Sequence, residues 1–483
     1  MRKLLLQNKV IISAYFFFYL LIWIGLSILI YDANALPIDV AENIAWSKHL
    51  QIAFDKHPFL GAFFIKLILP FSPSTMVANL LASSICLLVT LLYTYKVTKL
   101  FMSKNESIVI IILSSCGGIY TALNFVDYSQ NSIVLPFWVM SCYYFTLAMR
   151  NNKFIYWVTL GLVCALGLYA KLEMGLIILC LALYLAFNYK KEYLSKVFIS
   201  FWIFIVSLIP LIWWLFYTNF ALINYALNRY SGLRATDHNI IINFLLAQLN
   251  NLSTIGIIAV PILCILILFK IGIFRIQKNI ETTFLKRLRQ PLVCYGLYPL
   301  LFFFALQTYK VHIEYGWLIP IMSLTLPAVF YLLNIKIREF SLRKIVYVVL
   351  CFQILVFMVY NLFGYFTPMK DPRTLSNHVA LKAEEFWQQN ESQPLKNVIG
   401  YFSIYITPFI SDTATAYRNF EDTRIPTNTV SLGVLDNCNI KANNAYLESL
   451  GYTIGKQKCI TIDRVGRYSD EKQNFTLYIL EKS

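Results

Sequence analysis

Residues 10–31 read VIISAYFFFYLLIWIGLSILIY, 22 residues without a single charge. At roughly 1.5 Å per residue such a helix spans the roughly 30 Å of hydrocarbon in a bilayer. Arg2, Lys3 and Lys9 precede it. The run is too long for the apolar part of a signal peptide, and no small-residue cleavage site follows, so it is expected to persist as a membrane helix. A polar, acid-bearing stretch, Asp32 to Pro58, comes directly after it.

The pattern then repeats. Further helices are predicted near 74–96, 106–124, 130–149, 154–170, 172–188, 197–217, 250–271, 292–309, 316–334 and 345–364, about 11 spans in all. Residues 154–188 are too long for one span. A break at Ala170-Lys171-Leu172-Glu173 puts two charges at a turn, where water is expected to reach them. Composition agrees: 58% of the 483 residues are hydrophobic and 14% charged, against roughly 25% charged in soluble proteins.

The net charge of +16 reads as membrane topology, not as nucleic-acid binding. Lys and Arg gather in alternate short loops: around Lys3, Lys96 to Lys104, Arg150 to Lys153, Lys190 to Lys196, Lys270 to Arg289, and Lys336 to Lys344. The opposite connections carry few, chiefly Lys48, Lys56, Lys66, Lys171, Arg229, Arg234 and Lys310. The rich side is expected to be cytoplasmic. The N-terminus is then inside and the tail outside.

Two outer segments are long, 32–73 and 218–249. In the first, the amphipathic stretch Asp39 to Phe54 and the short apolar piece Leu60 to Leu69 are expected to lie along the interface. From Tyr365 the apolar runs shorten. Ser376 to Gln389 reads as an amphipathic helix, and Asn397 to Ile406, Thr429 to Leu435 and Phe475 to Leu480 read as strands. The expected organisation is a membrane domain, 1–364, and a small extracytoplasmic α/β domain, 365–483. Cys438 and Cys459 lie in that tail, where an oxidising exterior favours a disulfide; two buried thiols are the alternative. The other eight cysteines sit in apolar blocks as small hydrophobes.

The first outer loop carries Leu36-Pro37-Ile38-Asp39-Val40-Ala41-Glu42, then Phe54-Asp55-Lys56-His57-Pro58. Pro37 and Asp39 mark a helix start, and Glu42 shares a face with Asp39. Two readings stand: a capping arrangement at the helix N-terminus, or a pair of site carboxylates.

An Asp on a short helix after the first span, followed by Phe54-Asp55-Lys56-His57-Pro58, resembles the GT-C polyprenyl-phosphate-sugar-dependent glycosyltransferases. These include the protein mannosyltransferase-like family and the lipid A aminoarabinose transferases. Phe59 stands where the usual element has a second Pro. Asn124-Phe125-Val126-Asp127-Tyr128-Ser129-Gln130-Asn131 resembles the family's second outer connection. Ala170-Lys171 resembles its Thr-Lys-Gly turn, with Leu172-Glu173 replacing the Gly. Tyr309-Lys310-Val311-His312 and Trp317-Leu318-Ile319-Pro320 resemble its late outer loop.

The resemblance implies a sugar donor on a polyprenyl (undecaprenyl) phosphate and an extracytoplasmic acceptor hydroxyl or phosphate on a lipid or surface glycan, of the lipid A or lipopolysaccharide kind. It implies inversion, with Asp39 as general base. The leaving phosphate needs cations, for which Lys56, Lys171, Lys310, His312 and Arg234 are the candidates. Asp127 either helps position Asp39 or the acceptor, or caps the next helix. Glu42 and Tyr128 are expected to line the acceptor side. Asp55 and His57 are candidate ligands for a divalent metal, the one cofactor expected besides the donor lipid. The setting that the resemblance implies is a bacterial inner membrane. A transporter or flippase without covalent chemistry shares the many spans, but no internal repeat of the transporter kind is present. A non-catalytic assembly protein is the third class.

Overall fold

In a computed structural model, residues 2–30, 36–54, 56–121, 125, 127–231, 252–277, 281–307, 315–337, 342–366, 375–410, 414–417, 419–422, 424–463 and 472–482 are described. The first helix, α1 (Arg2–Leu20), runs into a π-helical segment, Leu21–Leu26, and ends with Ser27–Ile30. There follow α2 (Ile38–Lys48), α3 (Leu60–Ile68), α4 (Thr75–Lys99), α5 (Lys104–Ser114), α6 (Gln130–Asn151), α7 (Phe154–Ala170), α8 (Met174–Phe187), α9 (Leu194–Tyr217), α10 (Ala221–Ser231) and α11 (Leu252–Lys270). The strands β1 (Phe274–Ile276) and β2 (Ile335–Ile337) flank α12 (Glu281–Leu288), α13 (Pro291–Gln307), α14 (Leu318–Met322) and α15 (Thr325–Leu332); α16 (Leu342–Phe366) closes the apolar part.

Every apolar segment predicted as helix is helical, in whole or in part. The residues of 316–334 divide into α14 and α15, with a turn at Ser323 and Leu324. Among the described residues, 4 helices are long and apolar enough to cross a membrane, and shorter apolar helices accompany them. The split at 170–173 is present: α7 ends at Ala170 and α8 begins at Met174.

The chain forms two compact units. The first comprises Met1–Gly25, Ile52–Gly61 and Ser83–Phe357; the second comprises Leu26–Gln51, Ala62–Ala82 and Met358–Ser483. This division differs from a single cut at 364/365, because the segment bearing Asp39 belongs with the tail.

In the first unit, one set of polar groups buried among apolar helices is bonded together, which lowers its cost in a hydrocarbon setting. Trp23 Nε1 donates to Gln353 Oε1 (2.8 Å), and Gln353 Nε2 donates to the Ser115 carbonyl (2.7 Å). Helices α7 and α9 meet closely at Gly161. A Cβ there would stand 2.5 Å from the Ser200 carbonyl oxygen, so only a glycine allows this approach.

The second unit contains α17 (Ser376–Asn390), β3 (Asn397–Ile399), α18 (Ser403–Ile410), β4 (Thr415–Tyr417), β5 (Val430–Leu435), α19 (Ile440–Ser449), β6 (Tyr452–Asp463) and β7 (Lys472–Lys482). The strands form one mixed sheet in the order β4-β3-β5-β7-β6. Strand β3 pairs in parallel with β4 and β5; β7 is antiparallel to β5 and β6. Helix α17 covers the sheet with Val379, Ala383, Phe386 and Trp387, packed with Val398, Leu432, Phe475 and Leu477. The predicted strand Asn397 to Ile406 is strand only to Ile399. Gly400 turns the chain at φ +119°, and the remainder is α18. Cys438 and Cys459 are joined in a disulfide with Cα atoms 5.6 Å apart. Of the other cysteines, Cys351 is exposed and the rest are buried.

Candidate active site

Asp39 stands in the first turn of α2, half-buried. An acidic residue there matches the positive end of the helix dipole. The N-cap is Pro37, which makes no side-chain cap bond. A capping box needs a side-chain acceptor at that place, so the capping alternative for Asp39 and Glu42 is not realised. Glu42 is fully buried, as is Asn43, whose Nδ2 donates to the Asp39 carbonyl (2.8 Å).

Helix α2 is buried within the protein on most faces, with only Ile38, Asp39, Trp46 and Lys48 partly open. The cause is α18, which packs against it. Lys48 Nζ donates to the Thr407 carbonyl (2.7 Å), and His49 Nε2 lies 3.1 Å from Thr415 Oγ1. The proposed base therefore rides on a helix clamped to the sheet domain.

The remaining candidates that can be placed lie in the first unit. The turn after Phe54 is closed by its N–H donating to the His57 carbonyl (2.8 Å), with Ala53 bridging to Pro58. Lys56 and His57 are half-exposed on this turn. Ala53, Phe59 and Leu60 pack in one cluster with Tyr169 and Leu172; the Phe59 and Tyr169 rings are 5.3 Å apart. The 54–58 turn and the 170–173 turn, 112 residues or more apart in sequence, are thus held side by side.

Lys171 terminates α7 in extended conformation. Its ammonium donates to Asn131 Oδ1 (2.6 Å) and to Glu173 Oε2. The Lys171 and Glu173 side chains are only 9% and 7% exposed. Both charges are buried at this turn, contrary to the expectation that water reaches them. Asn131 comes from the second outer connection, so two of the resembling motifs meet here. Asp127 is half-buried just before α6. The N-cap of α6 is Ser129, so the capping role proposed for Asp127 belongs to Ser129. Tyr128 is fully buried and donates to the Gly61 carbonyl (3.0 Å), tying the second outer connection to the first.

Asp55, Arg234, Lys310 and His312 lie outside the described residues. Among the described residues no group of three or more His, Cys, Asp or Glu side chains is arranged to hold a metal ion. Sequence reading assigns Asn131 no task, and Glu173 only that of a partner for Lys171, which it is. The departure from Lys-Gly to Lys-Leu-Glu at 171–173 was the available signal.

Comparison with solved structures finds ArnT from Cupriavidus metallidurans bound to undecaprenyl phosphate at a TM-score of 0.63 and 10% identity, covering 96% of this chain and 97% of that one. The same protein in its apo state matches at 0.60 and 9%, covering 98% of both chains. No curated protein sequence matches the chain. The resemblance read from the sequence is borne out: the chain has the fold of ArnT, and its residues 56–216 match the family model of dolichyl-phosphate-mannose-protein mannosyltransferases.

Proposed function

We propose that this protein is a membrane glycosyltransferase that moves a sugar from a polyprenyl phosphate to an acceptor outside a bacterial inner membrane. The observation that carries the reading is the buried Lys171 ammonium, set beside the 54–58 turn in a chain with the fold of a protein solved with undecaprenyl phosphate. A charge is costly to bury in a membrane protein, and one found there, even in an ion pair, marks a candidate functional site. The acceptor is a lipid or surface glycan of the lipid A kind.

In the reaction, Asp39 takes the proton of the acceptor hydroxyl as that oxygen bonds to the anomeric carbon. The bond from that carbon to the phosphate oxygen breaks, and the phosphate leaves with the electron pair. Attack from the opposite face inverts the centre. Lys171 and Lys56 offset the growing charge on the leaving phosphate. The membrane part is placed with its N-terminus in the cytoplasm and the sheet domain outside.

Mass analysis of lipids and surface glycans from cells with and without the protein tests this. A fixed mass increment, present only with the protein, names the sugar and the acceptor together. Asp39→Asn abolishes the increment while the protein still inserts and folds. Wild-type transfer by that variant sinks the assignment of Asp39.

A further inference from the structure

The Lys171 ammonium carries three N–H donors. Among the described residues, Asn131 and Glu173 take two of them. Glu173 Oε1 is buried and has no hydrogen-bond partner among the described residues. A buried carboxylate oxygen left unpaired forfeits its hydration with nothing in return. One donor and one acceptor are therefore left over on the same ion pair. The surroundings keep the pair in place. Gly316 leaves room for the Asn131 amide, since a Cβ at 316 would stand 2.9 Å from Asn131 Nδ2. Two residues beyond Glu173, a Cβ on Gly175 would meet nothing within 4 Å, so the start of α8 borders open space.

A bare phosphate does not suit this pair well. Lys171 attracts it, but the adjacent Glu173 carboxylate repels it. A ligand that offers an anionic oxygen and a hydroxyl side by side satisfies both leftover groups. A sugar phosphate has that chemistry.

We propose that Glu173 Oε1 accepts a hydrogen bond from a hydroxyl of the donor's sugar while Lys171 holds the adjoining phosphate, so that this turn distinguishes a loaded carrier from a spent one. The inference rests on the glycosyltransferase reading above and assigns Glu173 a direct donor contact. It also explains product release. Once the sugar has left, its hydroxyl no longer answers Oε1, and the Glu173 charge disfavours the remaining phosphate.

The test is direct binding to the purified full-length protein in nanodiscs. The probes are undecaprenyl phosphate and its glucosyl and arabinosyl forms. The wild type binds the better sugar-bearing form at least about tenfold more tightly than the bare phosphate, a difference of about 1.4 kcal/mol. In Glu173→Asp the carboxylate still pairs with Lys171 but is drawn back by one methylene. The sugar-dependent ratio then falls to about one while binding of the bare phosphate is retained. In Glu173→Gln the bare phosphate binds more tightly than in the wild type, because the repelling charge is gone. Equal weakening of both forms in Glu173→Asp means that Glu173 only holds Lys171, and overturns the proposal, as does an unchanged ratio. A wild type that binds none of the three probes overturns the glycosyltransferase reading itself.

Discussion

Asp422 is gripped by one neighbour. Arg424 donates to it through its backbone N–H (2.9 Å), Nε (3.0 Å) and Nη2 (2.7 Å). Burial pushes the Asp422 carboxyl up, but the Arg424 hydrogen bonds and charge, with Lys482 nearby, outweigh it and hold the carboxyl below its usual value. A carboxylate with a lowered folded value stabilises the fold above its unfolded value, near about 3.9. That stabilisation is lost as pH falls through the lowered folded value. Thermal unfolding of the full-length protein followed from pH 6 to pH 3 therefore shows a falling midpoint. Asp422→Asn lowers the midpoint at pH 6 and flattens the fall. Parallel curves for the two proteins would mean that this pair contributes nothing to acid sensitivity. The Lys171 and Glu173 pair is of a different kind. It is buried on both sides, where an ion pair costs desolvation and is weak evidence for stability. That contrast is why a ligand, and not the fold, is the better account of it.

At the scale of elements, the Asp39 helix is the informative case. Its existence and its start were legible, because Pro37 and Asp39 mark an N-terminus and the apolar spacing is helical. Its burial was not. Helix α18, which covers it, is over 350 residues away in sequence, and a local pattern cannot report a partner that distant. Helix α18 itself was misread as strand, since a short apolar run fits either state. Only Gly400, at φ +119°, breaks the run. The same limit hid the cluster that joins the 54–58 turn to the 170–173 turn. The clamp on α2 has a measurable consequence. Lys48→Met removes the ammonium donated to the Thr407 carbonyl, and a hydrogen bond from a charged group contributes about 1.5–3 kcal/mol. Amide exchange over residues 38–48 is expected to speed up by tenfold or so, with transfer reduced because Asp39 is held less firmly. Unchanged exchange in that segment would show that the sheet domain does not brace the base.

At the scale of the whole molecule, the charge pattern and the bonding pattern converge. Loops assigned to one side by their Lys and Arg content are bonded to one another in the first unit. Strand β1 pairs with β2, setting Arg275 opposite Lys336. Lys336 pairs with Glu106 (2.9 Å), Arg150 Nη1 donates to the Leu100 carbonyl (2.7 Å), and Lys196 Nζ to the Asn152 carbonyl (2.6 Å). Segments assigned by charge to the opposite side also bond among themselves, Tyr128 to Gly61 and Lys171 to Asn131. Two disjoint sets of loops are what a polytopic chain with one cytoplasmic face requires. In the topology proposed above the tail lies outside, where the Cys438–Cys459 disulfide is at home. Intact cells treated with a membrane-impermeant phosphine and then with an impermeant maleimide are expected to label these two cysteines from the outside. A variant with both replaced by serine loses the label, because the remaining cysteines are buried or, in Cys351, sit on the apolar helix α16. Label that appears only after the cells are opened would place the sheet domain in the cytoplasm. It would also place Asp39, on the helix packed against that domain, on the side away from an extracytoplasmic acceptor.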